Sequence, residues 1–165
     1  MTERELDPKV AAFFERLDRL EAGGRARLKR SAGQSLAESR DALGLFYSVL
    51  PRGVSAFQED MYFLAATLYP MAAAGGRGDL GDSLRQAQQS RNSKGLDRRI
   101  EILLDADEAQ LPFRLRQAIH FLQSTRTRVN WPRLLDDLLR WTHPYRFVQR
   151  RWARSYFAHE QPSGD

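Results

Sequence analysis

The sequence of 165 residues contains no cysteine. That single absence removes structural disulfides, thiolate zinc sites, iron–sulfur clusters and a cysteine nucleophile. Histidine is nearly as scarce: His120, His143 and His159 are too far apart for any two to share a helix face at ligand spacing, and no HExxH string occurs. No metal site, cofactor or catalytic residue is expected. The uncharged stretch at residues 61–74 falls short of the roughly 20 apolar residues that span a bilayer, and the opening MTERELD is charged. The reading is a protein without a membrane segment, working in the cytoplasm. No stretch keeps a period of two long enough to argue for a strand.

What is present is helical periodicity and arginine. Apolar residues make up 42% of the chain, enough for one domain with a core. Of 26 basic residues, only Lys9, Lys29 and Lys94 are lysine. The net charge of +5 is unevenly placed: residues 114–154 hold ten arginines against Asp136 and Asp137, whereas residues 100–113 hold four acids and no base. A basic last third points to a polyanionic partner.

Apolar spacings of three and four predict an all-α fold, a compact multi-helix bundle in a single domain. Asp7-Pro8 starts a first helix striped by Val10, Phe13, Phe14, Leu17 and Leu20, with Gly23-Gly24 as its stop. RARLKR at 25–30 reads as an exposed turn or two. Leu36, Leu43, Phe46, Tyr47 and Leu50 mark one helix stopped by Pro51, and Ser55 with Gln58 resembles a capping box for the next, which Pro70 ends or kinks. GGRGDLG at 75–81 reads as a linker between an N-terminal helical half at about 8–74 and a C-terminal half at about 82–159. A loose tail is expected at 161–165.

In the second half, helices are expected near 83–89, over 96–104, from Leu111-Pro112, from Asn130-Trp131-Pro132 through Trp141, and from His143-Pro144 to about Ala158. On the last of these, Tyr145, Val148, Trp152 and Tyr156 fall within about 80° of arc and are expected in the core. Arg146, Arg150, Arg151 and Arg154 spread over the other side with Phe147 and Phe157 among them. Guanidinium groups mixed with aromatic rings suit phosphates and unpaired bases, and they equally suit a helix packed between two layers with solvated arginines at its rim.

Gly76, Gly78 and Gly81 match GxGxxG, but a helix precedes them, and no βαβ unit surrounds them as a dinucleotide site requires. Asp105, Asp107 and Glu108 stand between two helices, where acids cap the next one. Asp136 and Asp137 point about 100° apart on a helix, the wrong geometry for sharing a proton, and are expected to pair with Arg133 or Arg140. No nucleophile or phosphate-loop motif argues for an enzyme.

Three segments taken together, SLRQAQQSRNSKGLDRRIEILLDAD at 83–107, LRQAIHFL at 115–122 and NWPRLLDDLLRW at 130–141, resemble the CasB family, the small subunit of the type I-E CRISPR complex Cascade. GGRARLKRSA at 23–32 and ALGLFYSVLP at 42–51 extend the resemblance, which covers about 13–157. It implies a non-catalytic helical subunit, present as two copies packed head to tail beside the large and backbone subunits of a guide-RNA complex. Its implied task is to bind the displaced single-stranded DNA and keep the R-loop open, an exchange balanced closely enough for protein contacts to tip it.

Carried over by position, the nucleic-acid-binding residues are Lys29, Arg30, Arg98, Arg99, Arg116 and Arg146; charge and position add Arg52 and Arg150. Asn130 stands where the family has Asp, and both cap helices. Glu108 stands where a basic residue is expected. The competing readings are a helical adaptor whose basic face meets guide RNA or other subunits, and a helix-turn-helix duplex binder built on the helices of residues 115–141.

Overall fold

The computed structural model describes residues 5–158, so the tail at 161–165 and His159 lie outside the described residues. Among the described residues there are nine α-helices, two 3-10 turns and no strand: α1 (Pro8–Asp18), α2 (Ala22–Arg30), α3 (Leu43–Val49), α4 (Ala56–Leu68), α5 (Leu80–Ser90), α6 (Leu96–Leu104), α7 (Leu111–Ser124), α8 (Trp131–Leu138) and α9 (Phe147–Phe157). The expected all-α class is what the chain adopts.

In α1 the Asp7 carboxylate accepts the Lys9 N–H at 2.9 Å, Pro8 occupies the first turn, and Val10, Phe13, Phe14 and Leu17 are buried. Seven consecutive residues of α4, Tyr62 through Leu68, are buried. A helix segment apolar on all sides has to be surrounded, and α4 accordingly packs against α2, α7 and α8. Around it, Phe13 meets Phe14, Phe46 and Tyr62 edge-on, while Trp131 of α8 packs on Phe14 and Tyr69 and donates its indole N–H to Ala72 O at 3.0 Å. One continuous buried cluster therefore runs through both helical halves.

Several local expectations fail for identifiable reasons. Gly23 and Gly24 do not stop α1, which ends at Asp18; they form the first turn of α2, where Gly24 rests on Leu20 and Leu45. Residues 25–30 are correspondingly helical instead of an exposed turn, because burying Leu28 holds them. The helix expected over 36–50 splits into a 3-10 turn at Leu36–Glu38 and α3. Glu38 accepts the Ser35 N–H at 3.0 Å, and Ser39 turns to extended backbone with its hydroxyl 3.3 Å from that of Ser31. α4 does begin after Ser55, but without a side-chain cap there. Trp141 falls beyond α8, yet it is buried and donates to Ala106 O at 2.9 Å.

The glycine-rich segment is pinned at both ends. The Val129 N–H donates to Ala73 O at 2.8 Å and the Gly76 N–H to Val129 O at 3.2 Å, forming a bridge between the turn after α7 and the start of the segment. Its last two residues, Leu80 and Gly81, belong to α5, whose N-cap Asp79 accepts the Asp82 N–H at 3.0 Å. A side chain at Gly81 would collide with the Trp152 carbonyl of α9, so this glycine is what lets α5 and α9 close against each other. Gly81→Ala is expected to cost about 1–3 kcal/mol, the usual range for overpacking. Urea denaturation reads this as a lowered midpoint; an unmoved midpoint would contradict the close approach.

Candidate nucleic-acid interface

All eight expected binding residues, Lys29, Arg30, Arg52, Arg98, Arg99, Arg116, Arg146 and Arg150, are exposed. They differ in what holds them. Arg30 pairs with Asp41 at 3.1 Å, and Arg98 with Glu101 at 3.4 Å on the next turn of α6. Arg99 donates to Ser93 Oγ at 3.1 Å and lies over the Phe121 ring of α7, 5.8 Å from its centroid. Arg146 donates to Leu104 O at the end of α6 and sits 3.6 Å from the Asp105 carboxylate. Lys29, Arg52, Arg116 and Arg150 make no side-chain hydrogen bond or ion pair with other described residues.

Helix α7 brings most of these together. On one side its Phe121 underlies Arg99. On another, the aliphatic stem of Arg116 lies against Gly33, which has φ of +84° and no Cβ to obstruct it, in the turn that follows Lys29 and Arg30. The stem of Arg116, from the second helical half, thus rests on the turn just after Lys29 and Arg30 of the first. Arg98 and Arg99 stand near the start of α6 and Arg146 at its end, with Arg150 one turn further along α9. Arg52 is apart from these groups, in the turn where Lys9 Nζ donates to Gly53 O at 3.1 Å. Arg114, over the Phe113 ring at 5.3 Å, and exposed Arg126 and Arg128 add charge on α7 and just after it. The arginine count over 114–154 contained that signal, but no motif singled these residues out.

Two expectations about α9 need correction. The helix starts at Phe147, not at His143-Pro144, because Arg146 adopts the left-handed conformation, φ 50° and ψ 38°, and breaks the helical path. Tyr145 therefore leaves the core stripe and is 76% exposed, while Val148, Trp152 and Tyr156 are buried as expected. Arg151 is not on the solvent face. It turns inward to Asp137 and comes within 3.6 Å of Asp79. Asp137 accordingly pairs with Arg151 and the Trp152 indole, 2.8 Å away, instead of Arg133 or Arg140; Asp136 does pair with Arg140 at 3.4 Å.

Burial raises the Asp137 carboxyl above its ordinary pKa, against the pull of Trp152 and Arg151, and burial likewise raises Asp79. These groups are packed into the α5–α8–α9 junction. Among the described residues no His, Asp or Glu cluster is arranged to hold a metal ion, and no helix is long and apolar enough to cross a membrane. Asp107 accepts the Gln110 N–H at 2.8 Å in the turn before α7, whose N-cap, Gln110, has no side-chain cap, while Asp105 answers Arg146.

Fold and surface define a class: an all-helical protein with exposed arginines, several of them unpaired among the described residues. The family model for CRISPR-associated protein Cse2 matches residues 24–157, and the chain belongs to that family. It is similar to the Cse2 protein of Thermus thermophilus, 39% identical over 102 residues. That match spans 61% of this chain and 57% of the relative's length. Among solved structures, CasB from Thermus thermophilus superposes with a TM-score of 0.77 at 30% identity, covering 93% of this chain and 100% of that one. A chain of a CRISPR RNA-guided surveillance complex does so with a TM-score of 0.77 at 25% identity, covering 91% and 92%. The resemblance to CasB carried by residues 83–107, 115–122 and 130–141 is borne out.

Proposed function

We propose that this protein is a non-catalytic small subunit of a type I-E Cascade complex in the cytoplasm, where it binds the displaced non-target strand and stabilises the R-loop. The observation that carries the reading is the exposure of all eight family-matched or charge-selected cations, four of them without a partner among the described residues, on a chain of the Cse2 family. Lys29, Arg116 and Arg150 have no acidic partner of their own among the described residues and so are open to phosphates. The likeness to a chain of a surveillance complex supports membership of a similar assembly. Exposed Leu43 and Tyr47, one turn apart on α3, and exposed Phe57 at the start of α4 offer apolar side chains to the large or backbone subunits or a second copy.

Sequence is read by the guide, so this subunit should contact phosphates and not base edges. The test is binding of labelled single-stranded and duplex DNA over a salt series, by the protein alone and by a guide complex lacking its small subunit to which the protein is added. The expected result is sequence-independent single-strand binding, a log affinity that falls with log salt at a slope of about 0.7 for each phosphate neutralised, and a longer R-loop lifetime. A protein that joins the complex without binding DNA or changing R-loop lifetime would instead be an assembly adaptor. Discrimination between specific and scrambled duplexes would favour the helix-turn-helix reading.

A further inference from the structure

The most exposed large apolar side chain among the described residues is Tyr145, at 76%. It is not on a loose loop. Its N–H donates to His143 Nδ1 at 3.2 Å, the His143 N–H to Arg140 O at 3.1 Å, and the Arg146 N–H to His143 O at 2.9 Å. The His143 ring lies 5.4 Å from the Tyr145 ring and 4.8 Å, edge-on, from that of Phe147. The next residue, Arg146, is one of two non-glycine residues with positive φ among those described, and its guanidinium is anchored to Leu104 O and Asp105. A backbone held in this sparsely populated region needs its surroundings to hold it there, and here the left-handed residue is what turns the tyrosine out of the core stripe.

The surroundings identify the occupant. A ring that anchors a protein partner fills a well-packed, fully desolvated pocket at the centre of the interface. Tyr145 stands among exposed Thr142, His143, Pro144 and Arg146, the last beside the Asp105 carboxylate, with the unpaired Arg150 one turn along α9. An exposed ring that precedes Arg146 in the chain and lies a turn and a half before Arg150 suits a strand whose phosphates such cations hold beside an unstacked base.

We propose that Tyr145 is a stacking platform for one unpaired nucleobase of the strand whose phosphates Arg146 and Arg150 hold. This rests on the single-strand reading above and deepens it. Because every base has a π-face, the contact adds affinity without reading sequence. It also favours a displaced strand over a duplex, whose bases are already stacked on one another.

The test compares a labelled thymidine oligonucleotide with an abasic strand of equal length and charge, using the full chain alone and reconstituted into the guide complex. The wild type is expected to prefer the base-bearing strand. Tyr145→Ala should bind that strand roughly 5- to 100-fold more weakly, bind the abasic strand as before, and keep the same salt slope, while Tyr145→Phe and Tyr145→Trp retain the preference. In Tyr145→Trp the new exposed indole, unlike buried Trp131, Trp141 and Trp152, should be quenched by the oligonucleotide. Equal binding of both strands by the wild type overturns the proposal, as does an Ala variant that differs only in joining the complex. If the wild type binds no single strand in either setting, the reading of a strand-holding subunit itself fails.

Discussion

Arg151→Met is expected to remove about 3–5 kcal/mol of stability, the cost of stripping the counter-charge from a buried ion cluster. That is a large share of the roughly 5–15 kcal/mol that holds a domain together. The Asp137 and Asp79 side chains are 3% and 1% exposed, and Arg151 is the cation that reaches both. The other donors, Trp152 Nε1 to Asp137 and Ser155 Oγ to Asp79 at 2.9 Å, are neutral. They satisfy lone pairs without neutralising charge. Without the guanidinium, two carboxylates remain enclosed at the junction of α5, α8 and α9.

The pH dependence distinguishes this cause from a simple packing loss. Burial already raises both carboxyls above the ordinary value of 3.8, and losing Arg151 raises Asp137 further. A carboxyl with a raised folded-state pKa binds protons more tightly when folded, so its contribution to stability falls as pH rises from 3.8 through the folded pKa. The deficit of Arg151→Met should therefore be greatest at neutral pH and shrink on acidification toward the raised pKa. Urea midpoints of wild type and variant, compared at neutral and mildly acidic pH, check this. A deficit that stays constant or widens in acid would mean that the cluster is not what the variant disrupts.

The same residues show where sequence reasoning reaches and where it stops. The helices opened by Asp7-Pro8, Leu111-Pro112 and Asn130-Trp131-Pro132 were legible because each carries a local start signal and a buried stripe at helical spacing. α6 was legible from Leu96, Ile100, Leu103 and Leu104. Arg151 was not: its angular position said solvent, but Asp79 and Asp137, which draw it inward, come from other helices and are remote in sequence. Tyr145 was misplaced for a conformational reason, since nothing in the sequence announces that an arginine will take a left-handed backbone. Of the eight candidate cations, Arg146 and Arg150 fall opposite the core stripe by periodicity, while the others come from the family resemblance or, for Arg52, from charge and position. That Arg116 would lie over Gly33, joining one half of the chain to the other, required the tertiary packing.

That junction carries the largest expected effect on binding. Replacing Lys29, Arg30 and Arg116 together by alanine should flatten the log–log salt dependence of single-strand affinity by about 2 and weaken binding about 100-fold at 0.1 M salt, at 0.7 per phosphate contact. Stability should barely change: Lys29 and Arg116 have no ion partner among the described residues, and the exposed Arg30–Asp41 pair is of a kind worth at most about 1 kcal/mol. For the same reason Arg30 gives up Asp41 for a phosphate at little cost. Arg52→Ala, away from this patch, should change the slope by no more than about 0.7. The informative comparison adds the second group, Arg98, Arg99, Arg146 and Arg150, to the triple variant. Slopes that fall additively mean that one strand runs from the end of α2 over α7 to α6 and the start of α9, along the line that Arg116 on Gly33 and Arg99 on Phe121 trace. A slope lost wholly with one group would confine the strand to that group and make the other a contact for the rest of the complex.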